Sequence, residues 1–441
     1  MINIEQTLVY RNFEYSHIFY EMGYIINACM ENDGCLPYSM DKRETIKEAF
    51  MVVSELVSVA DSFGLEGNLY HAFLAFCLAN NENAFSMSCE MSGQSEGSVN
   101  NLAFHDFAIF RELFSVDIGM LDKVLDIECF SLLLDYKHKD GNSKVFNKRI
   151  RDRICELAVS LARSGNIMEF YGSVVDFYKK NGVGKLGLHK AFRVMTTNEG
   201  IPYPAPVISV EHTYLNDLVG YEIQKKKLID NTIDFLEGRE ANNVLLYGDS
   251  GTGKSSSIKA ILNEYYDRGL RMIEVYKHQF KELSLIIEQV KDRNYKFIIY
   301  MDDLSFEDYE IEYKYLKAII EGGLSKRPKN VLIYATSNRR HLVREKWSDK
   351  EDRREDLHTS DTVEEKLSLV NRFGVTICYT SPSRKEFQNI VSILADRYNV
   401  QMSKEELYLE ANKWEISHGG LSGRTAQQFI NYILGQEGKL E

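Results

Sequence analysis

The sequence predicts an α/β fold: a parallel sheet with helices on both faces in the C-terminal half, preceded by a mostly α-helical N-terminal domain. Three observations predict it. Before residue 200, apolar residues recur at helical spacing. After residue 212, short β-rich apolar runs alternate with helical patterns, as strands buried on both faces do. Between the two textures lies IPYPAP (201–206), with three of the six prolines of the 441-residue chain. Each proline fixes φ and pushes the residue before it out of helix.

In the N-terminal half, KRETIKEAFMVVSELVSVADSF (42–63), FHDFAIFRELFSVDIGMLDKVL (104–125) and RDRICELAVSLARSG (151–165) carry the helical pattern, the last with Gly165 as its C-cap. ANNENAFSMSCEMSGQSEGSVNN (79–101) is rich in Asn, Ser and Gly and reads as a loop. Aromatic residues and Met at helical spacing read as core, so no chemistry is assigned to this half. The expected domains are 1–198 (helical), 199–212 (an extended linker), 213–381 (nucleotide-binding core) and 382–441 (a small helical lid). The core strands are NVLLYG (243–248), RMIEVY (271–276), KFIIYMDD (296–303), NVLIYATS (330–337) and VTICYT (375–380).

Composition narrows the class. Hydrophobic content of 44% and charged content of 27% suit a globular protein. No run of 18 apolar residues exists and the first residues lack a basic segment before an apolar one, so no membrane span or leader is expected and the cytoplasm is. Cys29, Cys35, Cys77, Cys89, Cys129, Cys155 and Cys378 show no CxxC spacing and read as reduced, buried thiols. The net charge of −12 is uneven: residues 1–130 hold 6 Lys and Arg against 20 Asp and Glu, residues 131–200 hold 13 against 7. An acidic chain is a poor general binder of nucleic acid. The basic stretch KHKDGNSKVFNKRIRDR (137–153) reads first as a solvated helix face and second as a site for an anionic partner.

Chemistry concentrates after the first core strand. GDSGTGKS (248–255) fits G-x-x-x-x-G-K-[ST] at every fixed position. In such a P-loop the backbone N–H groups of Gly248, Asp249, Ser250, Gly251, Thr252 and Gly253 wrap phosphates without interference from Cβ atoms. Lys254 reaches the β and γ phosphates and the Ser255 hydroxyl ligates Mg²⁺. Ser256 continues into a helix whose positive N-terminus faces the anion. The tetrapeptide YMDD (300–303) has two readings. It is a signature of reverse transcriptases, but it also suits the tip of a buried ATPase strand. A P-loop ATPase needs a carboxylate there to hold the Mg²⁺ water shell, a role for Asp302. Asp303 stands where many such enzymes place the glutamate that orients the attacking water. YMDD ends a parallel-type strand and not a hairpin, so the ATPase reading is taken.

Four further segments resemble boxes of AAA+ ATPases. NDLVGYEIQKKKLIDNTIDFL (216–236) is similar to the adenine-side box, which implies that Val219, Gly220 and Tyr221 border the base. NVLIYATSNRR (330–340) resembles the strand with a polar sensor, Asn338; NRFG (371–374) the box with an arginine finger, Arg372; and GLSGRTAQQF (420–429) the second sensor of the lid, Arg424. Together with MDDLSFE, YKYLKAIIEGG and EEKLSLVNRFG, these segments resemble one bacterial AAA+ family catalogued as a domain of unknown function, over about residues 200–441. The resemblance implies a three-layer AAA+ core, binding of ATP with Mg²⁺, and a homo-oligomer in which Arg372 reaches a neighbour's ATP. It names no substrate. The family usually reads SLSDRFG where this chain has SLVNRFG, so Asn371 removes a carboxylate beside Arg372. Asp303, one methylene shorter than Glu, implies slow basal turnover.

The favoured expectation is an oligomeric ATP-driven remodeller of a protein partner selected by the N-terminal domain. VYKHQFKEL (275–283) lacks the aromatic–apolar–Gly pore loop of threading machines, which argues against an unfoldase. The alternative is an ATP switch like helicase loaders, gripping DNA or a DNA-bound partner; nucleic acid is the less favoured partner. A small-molecule kinase would have no use for Asn338, Arg372 and Arg424. HLVREKWSDKEDRREDLHTSDTVEEK (341–366) is expected to be a solvated surface connection.

Overall fold

The computed structural model describes residues 2–30, 42–93, 97–137, 146–307, 310–321, 328–339, 342 and 369–437. Cys35, residues 138–145 of the basic stretch and nearly all of 341–366 lie outside them. The chain forms two compact units, one of residues 1–189 with 206–209 and one of 190–205 with 210–441.

The first unit is helical: α1 (Ser16–Met30), α2 (Lys42–Phe63), α3 (Leu69–Asn80), α4 (Ala84–Ser92), α5 (Ser98–Phe114), α6 (Gly119–Leu125), α7 (Lys148–Ala162), α8 (Ile167–Asn181) and α9 (Gly184–Leu188). Helix α2 buries Thr45, Ala49, Val52, Leu56, Val59 and Ala60, one stripe at three- and four-residue steps. Helix α3 is buried on nearly every face, the pattern of a central helix. Aromatic rings fill the middle: Phe19 stacks on Phe110 at 5.1 Å, and Phe107 meets Tyr10, Phe85 and Phe170.

Three segments of this unit differ from the pattern read in the sequence. The polar segment 79–101 holds helix α4. Its Asn residues are caps: the Asn83 side chain accepts from Phe85 and Ser86 N–H groups while Ser86 reaches back to the Asn83 N–H. The pattern over 104–125 is two helices, because Asp117 accepts the Gly119 N–H and starts a new helix after Phe114. Helix α7 stops at Ala162 with Arg163 as its cap, so Gly165 lies beyond the end.

Asp106 is fully buried and accepts the N–H groups of Leu8 (2.9 and 3.1 Å), Val9 (2.7 Å) and Tyr10 (2.9 Å), tying the N-terminal stretch of chain to α5. Removing it leaves three donors to find other partners. Asp106→Ala is expected to cost this unit about 2–4 kcal/mol, read as a fall in the urea midpoint of its unfolding.

The second unit holds a seven-stranded sheet: β1 (Ala191–Thr196), β2 (Pro202–Pro206), β3 (Val244–Gly248), β4 (Leu270–Glu274), β5 (Lys296–Met301), β6 (Val331–Ser337) and β7 (Val375–Tyr379), in the order β2-β1-β4-β5-β6-β3-β7. The pairs β1–β4, β4–β5, β5–β6, β6–β3 and β3–β7 are all parallel. Strands β3 to β7 give the AAA+ order. The proline segment is extended as expected but paired, not a free linker: β2 lies beside β1 at the sheet edge, where proline is tolerated. Helices α10 (Glu222–Leu236), α11 (Lys254–Tyr265), α12 (Leu283–Val290) and α13 (Glu312–Glu321) connect the strands. Three more, α14 (Arg384–Arg397), α15 (Lys404–Ser417) and α16 (Gly423–Glu437), share a separate core around Phe387, Val391, Leu407, Ala411, Phe429 and Ile430. Ser383 and Ser403 open α14 and α15 with capping boxes closed by Glu386 and Glu406.

Six cysteines lie among the described residues, all free; Cys29, Cys77, Cys89 and Cys129 are buried as expected, but Cys155 is only half-buried and Cys378 is exposed, and no group of three or more His, Cys, Asp or Glu side chains there could hold a metal ion. Burial pushes the thiols of Cys29, Cys89 and Cys129 up to about 11, which keeps them protonated. Among the described residues, no helix is long and apolar enough to cross a membrane.

Candidate functional site

Strand β3 enters the sheet between β6 and β7, while the next strand in the chain, β4, lies three places away. Open α/β sheets bind ligands at the carboxyl ends of strands where the order reverses in this way. A cavity of about 990 Å³ opens there.

Its floor is the P-loop, made by the turn from β3 into α11. Gly251 (φ +75°) and Gly253 (φ +92°) adopt backbone that other residues rarely take, and a Cβ on Gly253 would have nothing within 4 Å. The loop therefore turns its backbone to open space at the N-terminus of a twelve-residue helix, as an anion site requires. The Lys254 ammonium donates to the carbonyls of Gly248 (2.9 Å) and Asp249 (2.6 Å) and to Asn338 Oδ1 (3.0 Å). Burial lowers its pKa below the ordinary ammonium value, and the charges of Asp249, Asp303 and Asp302 offset part of that.

One wall is the end of β5 against β6. Asp302 Oδ1 accepts from Ser255 Oγ at 2.7 Å and from Thr336 Oγ1 at 2.5 Å. Burial alone would raise the Asp302 pKa, but the bonds from Thr336 and Ser255 outweigh it and hold the carboxyl below its usual range. Asp303 has φ of +50°, its N–H donates to Thr336 Oγ1 at 2.9 Å, and its Oδ1 accepts from Asn338 Nδ2 at 2.8 Å. Lys254, Asn338 and Asp303 thus form one hydrogen-bonded row across the mouth of the loop. The Tyr300 hydroxyl is buried beneath this wall, its pKa driven up by burial and then by the Asp302 charge.

The lid closes the opposite side. Arg424 lines the cavity, and its N–H donates to the Gly251 carbonyl at 3.2 Å. The remaining side is formed by the strap 211–219 and by α14: Val219, Leu218, Ile390 and Leu394 supply apolar wall, and Arg397 ties the two together through the carbonyls of Asn216 (3.1 Å) and Asp217 (3.2 Å).

Of the residues singled out from sequence, the structure places Val219, Tyr221, Ser250, Gly251, Thr252, Gly253, Lys254, Ser255, Ser256, Asp302, Asp303, Asn338 and Arg424 around this cavity. Four do not line it. Gly248 sits beneath, its carbonyl held by Lys254. The Asp249 carboxylate turns away to the Ser381 N–H (2.7 Å) and hydroxyl (2.8 Å), which lower its pKa. Gly220 (φ +84°) sits in the turn before α10. Arg372 precedes the start of β7, at the opposite end of the sheet from the P-loop. Residues not foreseen are Thr336, Ser381, the strap residues Glu211, His212 and Thr213, and Arg397, Gln427, Gln428 and Asn431. Thr336 left a trace in the ATSN segment; the strap carries no periodic pattern at all.

Comparison with solved structures finds partial likenesses at low identity. A point mutant of RuvB from Thermotoga maritima aligns at 16% identity and a TM-score of 0.36, over 50% of this chain and 64% of that one. This chain therefore spans under two thirds of that relative's length. The FIGL-1 AAA domain in complex with ADP aligns at 16% identity and a TM-score of 0.35, over 52% of this chain and 75% of that one. Identities this low say nothing of what this chain binds. No curated protein matches the sequence. The family model described as a protein of unknown function (DUF815) matches residues 188–437, more than half of the chain. The chain belongs to that family, and its fold is that of an AAA+ P-loop NTPase.

Proposed function

We propose that this protein binds and hydrolyses ATP with Mg²⁺, as a homo-oligomer in the cytoplasm, to drive a conformational change in a protein partner. The observation that carries the reading is the meeting of Ser255 and Asp302, 47 residues apart in sequence, at 2.7 Å beside Lys254. A hydroxyl from the P-loop and an ionised carboxylate from the neighbouring buried strand are the donor set for a hydrated Mg²⁺. The fit extends to the loop, whose open backbone at Gly253 leaves room for phosphate oxygens.

Each residue then has a role of its own. The P-loop N–H groups and Lys254 bind the phosphates. Ser255 and Asp302 would hold the metal, which would supply positive charge to offset that of the phosphates. Asp303 orients the attacking water and accepts its proton, with Asn338 fixing the carboxylate. Arg424 reaches the terminal phosphate from the lid. Arg372, far from its own subunit's cavity, serves the site of a neighbour. The strap and α14 enclose the base.

The partner is assigned to the N-terminal unit as a protein and not a nucleic acid. Arg151, in the basic stretch, is already paired with Glu66 (3.2 Å) and Asp152 (2.7 Å), and Arg149 donates to the Leu188 carbonyl. These bonds leave less of that stretch for a polyanion. The helicase-loader reading keeps one test: steep loss of DNA binding with salt would restore it.

Steady-state ATP hydrolysis across a range of protein concentrations decides the main reading. Specific activity is expected to rise with concentration, to vanish with EDTA, and to fall at least about 100-fold in Lys254→Ala, which removes the cation that the P-loop itself holds at the phosphate mouth. A wild type that neither binds nor hydrolyses ATP at any concentration would sink it.

A further inference from the structure

We infer that Thr336 is a positioning residue that sets the geometry of both carboxylates at the metal side of the site. The inference rests on the ATP–Mg²⁺ reading above and assigns a role to a side chain that the motifs leave out.

Thr336 is almost completely buried, on β6. Its hydroxyl has one proton and can accept as well. The Asp303 N–H, 2.9 Å away, can only donate, so Oγ1 must accept there. The proton is then committed to Asp302 Oδ1 at 2.5 Å. Chemistry alone fixes the direction of the relay. Its two ends are the carboxylate that would hold the metal and the backbone of the carboxylate that would orient water. The Thr336 carbonyl adds a third tie, accepting the Leu304 N–H at 2.7 Å. One residue therefore pins the chain on both sides of Asp303.

The pin has something to hold. Asp303 lies at φ +50°, in left-handed backbone that costs an L-residue free energy and persists only where its surroundings impose it. That conformation brings its carboxylate to Asn338 at 2.8 Å. Threonine suits this position because branching at Cβ restricts χ1, so the hydroxyl needs little further ordering. Asp302 meanwhile receives two hydroxyls on the same oxygen, from Ser255 and Thr336. Loss of the Thr336 bond leaves it oriented from the α11 side alone.

Thr336→Val keeps the shape and removes both hydroxyl bonds; Thr336→Ser keeps the hydroxyl. Two measurements on the full-length chain read the proposal. A fluorescent ATP analogue is titrated in EDTA and again in Mg²⁺, and Mn²⁺ uptake with ATP present is followed by the loss of the free Mn²⁺ spectrum. Outer partners of metal ligands are worth about 10–100-fold in metal affinity. Thr336→Val is expected to bind the analogue in EDTA as wild type does and to take up Mn²⁺ about 10–100-fold more weakly; Thr336→Ser is expected to restore uptake to within about threefold. A folded Thr336→Val with wild-type Mn²⁺ uptake overturns the proposal alone. So does a folded Thr336→Ser whose Mn²⁺ uptake is about 10-fold or more weaker than wild type, a comparison with wild type that remains decisive if Val itself does not fold. A wild type that takes up neither analogue nor Mn²⁺ overturns the proposal and the reading beneath it together.

Discussion

Arg372→Ala is expected to leave ATP binding unchanged and to lower turnover by about 10³-fold or more, the scale of an arginine finger. That is at least about 4 kcal/mol of transition-state stabilisation from one side chain. The expectation follows from where the residue lies. Arg372 precedes β7 by three positions, and β7 runs parallel to β3, so the P-loop and Arg372 occupy opposite ends of adjacent strands. A side chain so placed cannot serve its own cavity. Mixing variants gives the sharper measurement. Arg372→Ala retains an intact P-loop and Lys254→Ala retains an intact Arg372, so a mixture should hydrolyse ATP where each alone does not. If Arg372→Ala turns over like wild type, the finger lies elsewhere in the chain.

Gly248→Ala is expected to destabilise the nucleotide-binding unit by about 3 kcal/mol or more. Gly248 has φ of +131°, and a Cβ there would lie 2.1 Å from the Tyr379 carbonyl oxygen and 2.7 Å from its carbonyl carbon. Those atoms are backbone of the paired strand β7 and cannot swing aside. The Gly253 position makes the control: it is also left-handed, at φ +92°, yet a Cβ meets nothing within 4 Å. Gly253→Ala should therefore lose only about 1–2 kcal/mol of backbone strain. Thermal unfolding of the two variants without nucleotide separates them. Equal losses would show that the approach of β7, and not backbone conformation alone, has been misjudged. The two glycines are interchangeable letters of one motif, but the first is required by the neighbouring strand and the second only by the left-handed turn into α11.

That distinction marks how far the sequence could be read. Strands β3 to β7 were legible because each is a continuous apolar run between helical patterns, and a strand buried on both faces leaves no other signature. That Lys254, Ser255 and Asp302 meet at one cavity was legible because the P-loop pattern and the end of an apolar strand place fixed residue types at fixed offsets. Thr336 was not, since a Thr in a strand is also an ordinary β-former. Ser381 was hidden for a different reason: its bond to Asp249 joins residues 132 apart, and no local pattern reports it. The polar run at 79–101 misled because Asn serves turns and helix caps alike, and only the partners of Asn83 decide between them. The strap 211–219, irregular but for one 3-10 turn at Leu215–Asp217, is held by what it packs against, Arg397 among them, and periodicity has nothing to say about it.

The edge strand β2 has a consequence for what the molecule avoids. Thr197 donates to the Ile201 carbonyl, so Ile201 and the residues of its parity, Tyr203 and Ala205, face β1. Pro202, Pro204 and Pro206 face the other way, and none has an N–H. Their side of the ribbon offers acceptors only, and one of them, the Pro202 carbonyl, is already taken by Gln289 at 2.8 Å. A foreign strand arriving there finds no donors to pair with. Exposed sheet edges template aggregation and fibre growth; three alternating prolines end the sheet on this side chemically, so that crowding many copies together cannot zip them edge to edge.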